Sequence, residues 1–73
     1  MGGQRVMEYR FKVGDVVKTK GFHFLEDGTE VLITSIDYTA PAHFSMYSGI
    51  TACDIDNGIE NDWWFKDSHL HRA

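Results

Sequence analysis

Apolar and polar residues alternate over most of this chain in short stretches, and the longest unbroken apolar runs, Val31-Leu32-Ile33 and Trp63-Trp64-Phe65, are three residues each. Runs this short suit strands better than helices, so the pattern predicts a β-rich domain with little helix. Phe11 and Val13 alternate about Lys12, the pair Gly14-Asp15 signals a turn, and Val16-Val17-Lys18-Thr19 reads as a first strand rich in branched residues. Residues 20–30 read as a long hairpin loop carrying Phe22, His23 and Phe24 and ending on the turn signal Glu26-Asp27-Gly28-Thr29. Residues 30–38 follow as the central strand, because both of its faces are apolar: Val31 and Ile33 on one, Leu32, Ile36 and Tyr38 on the other. Pro41 places a loop at residues 39–42, since proline has no ladder donor. Residues 43–47 then form a third strand, Ser48-Gly49 a tight turn, residues 50–55 a fourth strand, Asp56-Asn57-Gly58 a type I′ hairpin turn, and residues 59–64 a fifth strand. A helical turn over residues 66–68 and an extended piece through Leu70 close the chain.

With 73 residues there is material for one hydrophobic core, and a composition of 42% hydrophobic and 25% charged residues is that of a globular chain. The boundaries expected are a flexible N-terminal arm over residues 1–10, opened by Gly2-Gly3, and a folded domain over residues 11–73. No apolar run approaches the length of a membrane span, residues 1–10 lack the apolar stretch of a secretion signal, and the lone Cys53 has no disulfide partner within the chain, so the expected compartment is the cytoplasm. The net charge of −4 is unevenly spread: residues 1–20 hold five basic and two acidic residues, and residues 21–73 hold two basic and nine acidic. That segregation suggests two faces with different partners, or an N-terminal arm that reaches for an acidic surface.

Three pieces in order resemble the small SH3-like barrels of KOW-type transcription and ribosomal modules and of short phage-encoded regulatory proteins. They are Phe11-Lys12-Val13-Gly14-Asp15-Val16-Val17, then Asp27-Gly28-Thr29-Glu30-Val31-Leu32-Ile33, then Asp56-Asn57-Gly58 leading to Trp63-Trp64-Phe65 and Leu70. The resemblance implies a mainly all-β, five-stranded SH3-like barrel with a short helical turn near the C-terminus. It departs from KOW modules in charge, because the acidic body repels phosphate. A polypeptide partner is expected instead, with nucleic acid reached only through the N-terminal arm.

Candidate chemistry is sparse. His69-Xaa-His71 would share a face if extended, but His23, His43 and Cys53 stand isolated and lack the paired spacing of zinc ligands. The run Asp54-Ile55-Asp56-Asn57-Gly58 has its glycine fifth where a calcium loop needs it sixth. Cys53 falls in a predicted strand, where a thiol serves as a small hydrophobe, and no serine sits in a nucleophile motif. Neither metal, cofactor nor catalytic residue is expected.

The aromatic residues are more informative, since there are too many for so small a core to hide. Trp63 and Trp64 point to opposite faces of a strand, so at most one fills the core while the other is partly exposed. The expected protein-binding surface comprises Phe22, Phe24, Tyr47, Trp63 and Trp64, ringed by Glu26, Asp27, Glu60 and Asp62, with a second contact from the arm through Arg5, Val6, Met7, Tyr9, Arg10 and Lys12. The expected function is that of a non-enzymatic adaptor or inhibitor docking on a host machine such as RNA polymerase. The alternatives are a KOW-like nucleic-acid-binding barrel and a structural or oligomerising module.

Overall fold

A computed structural model describes residues 9–39 and 45–73. Its strands are β1 (Val16–Thr19), β2 (Glu30–Ile36), β3 (Tyr47–Thr51), β4 (Trp63–Phe65) and β5 (Leu70–Arg72). They form one antiparallel sheet in the order β4-β3-β2-β1-β5. The first four strands make a meander, and the chain then passes through a 3₁₀ turn (Asp67–His69) to place β5 beside β1. β2 is central, as its two apolar faces predict. The sheet is open, with β4 and β5 as its edges, so the mainly β class stands without closure into a barrel.

One face of the sheet carries the core: Val17, Val31, Ile33, Ile36, Tyr47, Phe65 and Leu70 are buried there together with Phe11, which arrives from ahead of β1, and Met46. Ile36 lies with Val31 and Ile33, not opposite them, because of a bulge. Ile33 pairs with Gly49 and Ser35 with Ser48, which leaves Thr34 as the extra residue, and one inserted residue reverses the facing of everything after it. The Thr34 hydroxyl donates to the Ser48 carbonyl at 3.2 Å.

The stretch after residue 47 departs most from the pattern-based expectation. Ser48 and Gly49 are interior to β3. A Cβ on Gly49 would collide with Val31 Cγ1 and lie 2.9 Å from the Leu32 carbonyl oxygen, so this glycine serves close approach, not a turn. Residues 52–55, expected as strand, and Asp56, expected in the hairpin turn, form the short helix α1 (Ala52–Asp56). Its start is set by Thr51, whose hydroxyl accepts from the Asp54 N–H at 3.1 Å, an N-cap with an acidic residue in the first turn. Its end is set by Gly58 at φ +68°, whose N–H donates to the Ile55 carbonyl, and Asn57 at φ −95° rules out the type I′ turn, which needs positive φ at both positions. Cys53 is accordingly an exposed helix residue, not a strand hydrophobe. The last strand expected over residues 59–64 shrinks to β4, the late helical turn appears one residue downstream of residues 66–68, and the closing strand, expected through Leu70, runs from Leu70 to Arg72.

Residues 1–8 and 40–44, and with them Arg5, Val6, Met7 and His43, lie outside the described residues. Tyr9 and Arg10 are held by the domain. Tyr9 sets its ring edge-on to Tyr38 and donates its hydroxyl to the Tyr38 carbonyl at 3.1 Å. The Arg10 guanidinium pairs with the Asp67 carboxylate at 2.9 Å, donates to the carbonyls of Asp67 and Leu70, and lies over the Phe11 ring. Among the described residues no helix is long and apolar enough to cross a membrane.

Candidate functional site

The loop between β1 and β2 is folded, and it builds one wall of a cleft. Thr19, fully buried, donates its hydroxyl to the Glu26 carbonyl at 2.7 Å and accepts from the Thr29 N–H at 3.2 Å. The Thr29 hydroxyl donates to the same Glu26 carbonyl at 2.6 Å, and the Asp27 carboxylate accepts from the Gly21 N–H at 2.9 Å. These bonds pin both ends of the loop and leave Phe22 and Phe24 at its tip. The opposite wall is β4 with the 3₁₀ turn, and the walls are joined where the Lys20 N–H donates to the His69 carbonyl at 2.8 Å.

Between the walls lies a cleft of about 460 Å³, within the range of ligand sites. Its floor is Phe22, half-buried, with its ring centroid 4.6 Å from that of the buried Phe65, 5.3 Å from that of His69 and 6.0 Å from that of Trp63. Phe24, 68% exposed, stacks on Trp63 at 6.1 Å and is met edge-on by His23. Trp64, 47% exposed, together with Gly21, Ser45 and Asp62 completes the lining. Among the described residues the Asp62 carboxylate has no hydrogen-bond or ion-pair partner and no lysine or arginine lines the cleft. Two polar atoms of lining residues, Trp63 Nε1 and His69 Nδ1, are buried without a partner among the described residues.

Of the residues expected to bind a partner, Phe22, Phe24, Trp63, Trp64 and Asp62 therefore meet at one place. Glu26 and Asp27 are exposed on the same loop without lining the cleft, and Glu60 is exposed outside it. Tyr47 is not at the surface at all. It is fully buried against Phe11, because its side chain falls on the core face of β3, and its hydroxyl donates to Asp67 at 3.3 Å. Burial, and then the neighbouring Asp67 carboxylate, raise the pKa of that hydroxyl. Arg10 was expected to reach for a partner, but its charge is taken up by Asp67, while the Lys12 side chain is exposed. Sequence reasoning missed His23, Ser45 and His69 as cleft residues. His23 stands between the two phenylalanines, and that was the available signal.

Among the described residues no group of three or more His, Cys, Asp and Glu side chains is placed to hold a metal ion. His69 ends the 3₁₀ turn and lines the cleft, whereas His71 is an exposed residue of β5. Asp54 and Asp56 belong to α1, and the Cys53 sulfur lies 3.5 Å from Asn57 Nδ2. Comparison of the chain with protein-family models, with curated proteins and with solved structures finds no match.

Proposed function

We propose that this chain is a small non-enzymatic module that binds a polypeptide partner through the aromatic cleft. The observation that carries this reading is the convergence of Phe22, Phe24, Trp63 and Trp64 on one open cleft beside the unpaired Asp62. Partly exposed aromatic rings supply burial at an interface without a large entropy cost, and carboxylates at the rim orient a basic partner and speed its approach. The SH3-like reading of the sheet is supported by the four-strand meander and by the 3₁₀ turn that leads β5 back to β1. Through that resemblance, a basic and partly apolar surface of a transcription machine such as RNA polymerase is the partner to test first, with a role in regulating transcription. A nucleic-acid role would draw on Lys12, Lys18 and Lys20, and it loses Arg10 to Asp67.

The test is retention of partners from nuclease-treated bacterial lysate by the tagged chain and by its Phe24→Ser variant, with identification by mass spectrometry and reconstitution from purified components. Stoichiometric binding of one identified protein, lost in the variant, is the expected result. Binding that disappears with nuclease would transfer the role to nucleic acid, and binding indifferent to Phe24 would remove the cleft from it.

A further inference from the structure

We infer that the cleft takes the guanidinium group of an arginine side chain presented by the partner polypeptide. This rests on the reading of the cleft as a protein-binding site and specifies what it recognises. Three observations converge. Asp62 lines the cleft beside the aromatic residues, and among the described residues its carboxylate has no hydrogen-bond or ion-pair partner and no lysine or arginine shares the lining. The rings of Phe24 and Trp64 are exposed, so aromatic surface is available to a planar group from outside. The chain also solves the same problem internally: Arg10 lies with its guanidinium carbon 4.7 Å from the Phe11 ring centroid while pairing with the Asp67 carboxylate.

Arginine satisfies both halves of such a site at once, since its flat, weakly hydrated guanidinium stacks on aromatic faces and forks onto a carboxylate. Lysine offers a compact, strongly hydrated charge that answers Asp62 but stacks poorly. A phosphate-bearing ligand would meet the Asp62 carboxylate in a lining that, among the described residues, holds histidine but no lysine or arginine, and an apolar ligand would leave Asp62 unpaired.

The experiment is a nuclear magnetic resonance titration of the full chain with three short Gly/Ser peptides that differ at one position, which is arginine, lysine or the neutral isostere citrulline. The arginine peptide is expected to move the indole N–H resonances of Trp63 and Trp64 saturably, with lysine about threefold weaker or more and citrulline without effect. Asp62→Asn and Phe24→Ser, both exposed positions, should each weaken the arginine peptide by about threefold to fivefold while leaving the core resonances in place. Equal binding of arginine and lysine, shifts that map elsewhere, or full binding by Asp62→Asn would overturn the inference. If the arginine peptide fails while an identified partner still requires Phe24, the protein-binding reading stands and the arginine slot falls. Saturable arginine binding without any cleft-dependent partner would give the reverse.

Discussion

The buried hydroxyl of Thr19 donates to the carbonyl oxygen of Glu26 across the neck of the β1–β2 loop at 2.7 Å. Because the same hydroxyl also accepts from the Thr29 N–H, one oxygen holds both strands of the neck. Thr19→Val keeps the volume and deletes both bonds, leaving the Thr29 N–H without that acceptor. A loss of about 1–2 kcal/mol in stability by urea unfolding is expected. Tryptophan fluorescence should also shift in the folded variant, since Phe24 loses its fixed position over Trp63. Unchanged fluorescence would mean that the loop is positioned by its aromatic contacts alone.

Arg10 clamps the residues ahead of β1 onto the 3₁₀ turn. The ion pair itself is about half exposed and contributes little, about 0.5 kcal/mol, but the guanidinium also reaches two backbone carbonyls. Arg10→Ala is therefore expected to cost about 1–2 kcal/mol, and more than Asp67→Asn, which removes the ion pair and leaves the carbonyls in place. Thermal unfolding of the two variants and of their combination measures this order. A larger loss from Asp67→Asn would place the weight on the carboxylate and its bond to Tyr47.

Gly49 in β3 has the Val31 side chain and the Leu32 carbonyl within the space a methyl group would take. The backbone oxygen cannot rotate away, so Gly49→Ala is expected to destabilise the fold by about 2 kcal/mol through overpacking. A comparably small change at Ser45, exposed at the cleft, should be close to neutral. Denaturant midpoints for Gly49→Ala and Ser45→Ala compare the two, and a neutral Gly49→Ala would mean that β2 and β3 separate more readily than their register implies.

Tyr47 gives the fold an alkaline limit. A phenol whose pKa is raised on folding holds its proton more tightly in the folded chain, so the contribution to stability is intact below 10.0 and is lost as pH rises above it. Tyr47→Phe, which keeps the edge-on contact with Phe11 and gives up a long hydrogen bond, should cost only about 0.5 kcal/mol at neutral pH. It should then lose less stability than the parent between about pH 9 and about pH 11. Parallel losses in the two proteins would assign the alkaline transition to other groups.

The sequence was legible where local chemistry and tertiary demand agreed. β1 and the central place of β2 follow from branched residues and alternation. It misled where one residue type serves two purposes. Asn57-Gly58 suits a hairpin turn and a helix end equally, and the choice lies with the Thr51 cap on the Asp54 N–H, a pattern that a reading guided by the branched residues Ile50 and Ile55 does not use. Ser48-Gly49 suits a turn, but glycine is also what a crowded strand pair needs. The extra residue Thr34 leaves no compositional trace, so alternation alone puts Ile36 on the wrong face. The aromatic half of the site was visible as an excess of rings over core, whereas the burial of Tyr47 depended on strand register, which alternation alone does not fix.

The bond from the Lys20 N–H to the His69 carbonyl ties the two walls of the cleft to each other through main chain, so that of the substitutions at Lys20 proline alone removes its donor. The gap between Phe22 and the 3₁₀ turn is thus set by the same ladder that holds β5 on β1. A ligand must accept the width it finds at that end, and adaptation is left to Phe24 and Trp64 at the mouth. Affinity for related ligands should accordingly vary more with the shape of the group inserted than with the length of chain that carries it.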